Sequence, residues 1–148
     1  MNLQEELSKI MDDNTMTQQD TLTAILNLMC SHITDHIFGG VIVDIRGQVL
    51  AESEKYKGNG DIVAASVVGG FGAGQITAKE LLHDDLSQIT LKTRQGYVFV
   101  YSIGQEHTLV VTGDKGAPLG LVDFAIYNPK NSDTIASNIE KVLGISKK

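Results

Sequence analysis

Ile62-Val-Ala-Ala-Ser-Val-Val-Gly-Gly-Phe-Gly-Ala-Gly-Gln-Ile-Thr-Ala78 is the stretch that decides the fold, since no charge interrupts the chain between Asp61 and Lys79. On a 3.6-residue period Ile62, Ser66, Gly69, Ala73 and Ile76 form one stripe, and Val63, Val67, Gly70 and Gly74 form a second beside it. Ala64, Val68 and Phe71 fill much of what remains. A helix apolar all round needs cover on more than one side, and a sheet face supplies only one. The pattern predicts the most buried element of the fold, with a second subunit as the remaining cover. Gly69, Gly70, Gly72 and Gly74 each cost about 1 kcal/mol relative to alanine in a helix interior, which close approach of another backbone offsets. They mark either a contact surface for a helix or an early end to this one. The stretch is too short and too glycine-rich to span a membrane. Gly69 and Gly74 have the outer spacing of the phosphate loop GxxxxGK[ST], but Gln75 and Ile76 stand where lysine and Ser/Thr are required.

Upstream, the polar loop from Glu54 to Asp61 leads into this helix and offers Asn59 or Asp61 as its cap. Before it, Gly39 to Ser53 holds two hydrophobic runs around a turn at Asp44-Ile-Arg-Gly47, the pattern of a β-hairpin. Thr17, with Asp20 three residues on, starts a helix whose stripe runs through Leu22, Ile25, Leu26, Met29, Ile33 and Ile37, about five turns. Leu3, Leu7, Ile10 and Met11 make a short amphipathic helix ahead of it.

Downstream, Ile89, Leu91 and Thr93 alternate with Gln88, Thr90 and Lys92, which reads as an edge strand open to another chain. Tyr97 to Ile103 is almost continuously apolar and should be central, and Leu109 to Thr112 completes the set. Pro118 to Tyr127 is helical in pattern up to the break at Asn128-Pro129. Ser132 is placed to cap a last helix with Ile135, Ile139, Val142 and Leu143 on its apolar face. The fold class is therefore α+β: a five-stranded antiparallel sheet flanked by helices, in the order α-β-β-α-β-β-β-α, with an extra short N-terminal helix.

A chain of 148 residues, 42% hydrophobic, fits one domain with its own core. Its net charge of −6, with no basic cluster beyond Lys147-Lys148, gives no electrostatic footprint for nucleic acid. The N-terminus shows neither a basic leader nor an apolar run, and the single Cys30 suits a reducing compartment, so a cytoplasmic protein without a membrane partner is expected.

Catalytic signals are weak. His32 and His36 have the i, i+4 spacing of a metal pair on one helix, but no glutamate lies between them and no third ligand is fixed, although His83, Asp84 and Asp85 are available. They read as boundary histidines, and Cys30 as a small buried hydrophobe. No metal, cofactor or enzymatic constellation is expected.

Four segments carry a likeness to a known family: Gly39-Gly-Val-Ile-Val-Asp-Ile-Arg-Gly-Gln-Val-Leu-Ala51, Gln95-Gly-Tyr-Val-Phe-Val-Tyr101, Leu109-Val-Val-Thr112 and Leu119-Gly-Leu121. In this order they resemble the Roadblock/dynein light chain family, including bacterial MglB-like proteins. The division that follows is an extension over residues 1–16 and a Roadblock-like domain over 17–148, its C-terminal helix broken near Pro129. The resemblance implies a homodimer joined through the third strand and the central helices, serving as a platform for a Ras-like small GTPase and promoting hydrolysis or acting as a scaffold. A small-ligand sensor is the weaker alternative. The expected dimer contacts are Val63, Val67, Gly70, Gly74, Ile89, Leu91 and Thr93. The expected GTPase-docking residues are Lys55, Tyr56, Lys57 and Asp61, an aromatic flanked by charge beside the central helix. Arg46 and Arg94, both in hairpin turns, are the only arginines and hence the only candidates for an arginine finger.

Overall fold

The computed structural model describes residues 2–54, 56, 60–128 and 133–145. Its elements are α1 (Leu3–Asp12), α2 (Gln18–His32), β1 (Ile37–Asp44), β2 (Val49–Glu52), α3 (Gly60–Leu82), β3 (Gln88–Lys92), β4 (Gly96–Ile103), β5 (His107–Asp114), α4 (Leu119–Ile126) and α5 (Ile135–Leu143). The strands form one antiparallel sheet in the order β2-β1-β5-β4-β3. The architecture is the expected α+β layer with its N-terminal helix. β4 is flanked on both sides, but β5 holds the middle of the sheet, because β1 returns to pair with it along its whole length.

Strand alternation sorts the side chains into two cores. Ile42, Phe99, Tyr101, Leu109 and Val111 lie with Leu22, Ile25, Leu26 and Met29 of α2 and with Ile135 and Ile139 of α5 in the larger cluster. α1 adds Leu7, 2% exposed, to that layer. Val41, Val43, Val100 and Val110 project to the other face, where Ala64 of α3 is the only fully buried helical side chain in the smaller cluster.

Local chemistry fixes the ends of these elements. The Thr17 hydroxyl accepts the Asp20 N–H at 3.1 Å, the cap read from sequence. In the first hairpin the Asp44 carboxylate accepts the backbone N–H groups of Arg46 and Gln48, both at 2.9 Å, and Gly47 takes the left-handed conformation (φ +82°) that a side chain disfavours. Thr134 caps α5 by accepting the Ser137 N–H. Ser132 and Pro129, the expected cap and break, lie outside the described residues.

Two sequence expectations are corrected here. α2 stops at His32, not near Ile37, because Thr34 turns the chain by accepting the His36 N–H, and Ile37 is consumed as the first residue of β1. The apolar stripe is real, yet its last member is buried in a strand. α3 does run unbroken through its four glycines, so they do not end it. Within one protomer, however, it is not the most buried element: only Gly60 and Ala64 are buried, while Ile62 and Ile76 are 65% and 67% exposed. The sheet covers one side of this helix, and among the described residues nothing else in the chain covers the other.

Candidate functional site

The sheet-facing side of α3 takes Val63, Val67 and Gly74 from the second stripe and adds Phe71, while Gly70 falls on the open side. Val63, Val67 and Phe71 pack on the smaller cluster, and a Cβ added to Gly74 would meet Leu86 at 2.8 Å and Ile89 at 3.2 Å. The expected dimer contacts Val63 and Val67 are thus half-buried against their own sheet, and Gly74 lets the helix settle on β3. The open side carries Ile62, Ser66, Gly69, Gly70, Gly72, Ala73 and Ile76. A Cβ at Gly69, Gly70 or Gly72 would meet nothing within 4 Å. A 23-residue helix thus offers an apolar surface on this side, while Leu81 and Leu82, both over 70% exposed, fall about five turns after Val63 and Ala64 on the sheet-facing rows. Sequence reading missed those two leucines, although their position directly after Lys79-Glu80 placed them past the charge boundary that seemed to end the apolar run.

β3 is an unpaired edge. It pairs with β4 from Gln88 opposite Tyr101 to Lys92 opposite Tyr97, and its other side is free among the described residues. Ile89 is half-buried under α3, Leu91 is 52% exposed, and Thr93 caps the following turn by accepting the N–H groups of Gln95 and Gly96. The strand is held from both faces. The Gln88 amide donates to Asp123 of α4 at 2.9 Å, and the same carboxylate oxygen accepts the Tyr101 hydroxyl at 2.7 Å. Burial, then that carboxylate, pushes the Tyr101 phenol well above its ordinary range. From the α3 side, Gln75 accepts the Leu86 N–H and donates to Asp85, and Lys79 pairs with Asp85 at 2.9 Å.

The expected docking group is only partly placed. Lys55 and Lys57 lie outside the described residues. Tyr56 is no free anchor: its ring is half-buried on the smaller cluster, and burial followed by the charge of Glu52 raises its phenol. Asp61 is exposed in the first turn of α3, one residue inside the helix start at Gly60, so it faces the helix dipole and is not the cap. Asn59, the other cap candidate, lies outside the described residues.

The histidine pair does not form on one helix. His32 ends α2, whereas His36 sits in the following turn with its Nδ1 2.9 Å from the Asp114 carboxylate. Among the described residues no three His, Cys, Asp or Glu side chains are grouped to hold a metal. Cys30 is half-buried beside the larger core. Arg46 and Arg94 are both exposed at turns, and strand register puts those turns at opposite ends of the sheet.

The chain is thus a five-stranded antiparallel sheet with one long helix alone on a face and the remaining helices on the other, and comparison supplies the family. The model of the Roadblock/LC7 domain matches residues 31–112, and the chain belongs to that family. The gliding protein MglB of Thermus thermophilus superposes with a TM-score of 0.72 at 20% identity, over 88% of this chain and 94% of that one. Myxococcus xanthus MglB gives 0.69 at 16%, over 83% and 94%. A Roadblock/LC7 domain from Streptomyces avermitilis gives 0.68 at 15%, over 82% and 94%. No curated protein matches the chain in sequence. At these identities the likeness establishes the fold, and membership supports a regulatory or adaptor role at the level of the family. Among the described residues no helix is long and apolar enough to cross a membrane.

Proposed function

We propose that the protein is a homodimeric cytoplasmic platform for a Ras-like small GTPase, joined through β3 and the open face of α3, without a catalytic group of its own. The uncovered apolar side of α3 next to an unpaired edge strand carries this reading. Pairing β3 across a two-fold axis normal to the sheet would set the two α3 helices antiparallel on one face, their glycine stripes adjacent.

Regulation and pure scaffolding differ in their effect on the partner. With its two arginines at opposite ends of the sheet, acceleration would come from repositioning the GTPase's own groups rather than from a supplied guanidinium. The test combines sedimentation with single-turnover GTP hydrolysis by a Ras-like small GTPase with and without this protein. A dimer that speeds hydrolysis in proportion to its concentration supports regulation, and a dimer that binds without acceleration supports the scaffold. A compact 16.0 kDa monomer that binds no GTPase would refute both.

A further inference from the structure

At the end of the sheet where the β1–β2 and β4–β5 turns meet, α3 and α5 leave a cleft of about 640 Å³. Its apolar wall is Ile45, Val68 and Phe71, and its rim carries Glu106, His107 and Glu140. No lysine or arginine lines it among the described residues. The Asp85 carboxylate on the rim is already paired with Lys79, and the rim amide of Gln75 is taken up by Leu86 and Asp85. The carboxylates of Glu106 and Glu140 have no hydrogen bond or ion pair among the described residues, although Glu140 is half-buried. His107 adds a buried Nδ1 that also lacks a partner there. A cation brought beside an unpaired carboxylate gains a charge-assisted hydrogen bond. The rim does not have the donor grouping of a metal site.

We propose that this cleft docks a basic segment of a protein partner, with a lysine or arginine head between Glu106 and Glu140 and an apolar neighbour on Phe71 and Val68. The fit is one of charge and lining together: the unpaired carboxylates of exposed Glu106 and half-buried Glu140 share one cleft with the apolar side chains of Ile45, Val68 and Phe71, on a chain whose net charge is −6. Lys and Arg carry apolar stems that suit such a lining while the head meets the rim. The cleft adjoins the open face of α3 at Gly72, and the proposal stands whether or not the partner is a GTPase.

The experiment titrates the ¹⁵N-labelled full chain with the peptide acetyl-Lys-Leu-Lys-Leu-Lys-amide at about 0.15 M salt, and with its Glu-for-Lys analogue. The proposal expects saturable shifts at Gly104, His107 and Phe71 with the basic peptide only. Glu106→Gln with Glu140→Gln should weaken binding about tenfold, while the charge-matched control Glu5→Gln with Asp12→Asn, remote on α1, changes it less than about twofold. Equal weakening by both pairs would reduce the effect to net charge and overturn the site. Absence of saturation at millimolar peptide, or shifts confined to the outer side of α3, would do the same. If Lys147→Gln with Lys148→Gln alone moves the same three resonances and tightens the peptide, the chain's own lysines are the occupant and the partner proposal falls.

Discussion

Replacing Gly69, Gly70 and Gly72 together by alanine separates what α3 gains as a helix from what it loses as a contact. In the protomer the three new methyl groups meet nothing within 4 Å, so no clash opposes the substitution. Each glycine in a helix interior is worth about 1 kcal/mol less than alanine, so the isolated subunit should gain about 2–3 kcal/mol. In the proposed dimer the same methyl groups stand where two backbones approach, and the two-fold axis doubles their number. Separation of the helices by even about 1 Å loses dispersion contacts along the shared length, and the dissociation constant should rise by tenfold or more, about 1.4 kcal/mol. Urea unfolding at protein concentrations below and above the dissociation constant reads the two effects apart, with sedimentation giving the constant itself. Stability should rise at the dilute end and the advantage should shrink or reverse at the concentrated end. An unchanged or tighter dimer would show that the glycines serve no contact, and a less stable dilute variant would show that their side of α3 is covered within the subunit.

Val67→Glu and Ile76→Glu should part company: the first places a charge against the smaller core and should cost the fold about 2–3 kcal/mol in urea, whereas the second should leave the subunit folded and abolish the dimer in sedimentation. Gly96→Ala should destabilise strongly, by about 3 kcal/mol or more in thermal or urea unfolding, because the added Cβ would press on the Asp114 backbone, 2.9 Å from its Cα, which no side-chain rotation relieves. The hydrogen bond from His36, aided by the Gly116 N–H, holds the Asp114 carboxyl below its usual range. A depressed folded value contributes stability above the unfolded value near 4 and loses it as pH falls through the folded one, so Asp114→Asn should flatten the acid limb of stability below about pH 4. Identical acid limbs in the two proteins would remove the pair from the account.

The strands and most helices were legible because alternation and the 3.6 period are local: Thr17 with Asp20 and the Asp44 to Gly47 turn announce themselves within four residues. Ile37 was misassigned because a residue that extends a helical stripe and one that opens a buried strand have the same chemistry. Its true place was set by pairing with Gly113, seventy-six positions away. The site was less legible than the fold. Periodicity shows that α3 is apolar all round, but not which stripe the sheet takes, and Val63 and Val67, expected at a dimer contact, also pack on the smaller core. Glu106 and Glu140 line one cleft from the β4–β5 turn and α5, and no spacing in the chain signals that placement.

The turn between α3 and β3 bears on the order of events in assembly. Leu86 hangs on the side chain of Gln75, Asp85 is tied to Lys79, and Ile89 lies under Gly74, so the strand with the open edge is fastened to the last turns of the helix as well as to β4. A chain whose helix has not yet settled on the sheet has no properly aligned edge to present. In the proposed dimer, joining would therefore require a finished subunit, a safeguard against the promiscuous strand exchange to which bare edges are prone.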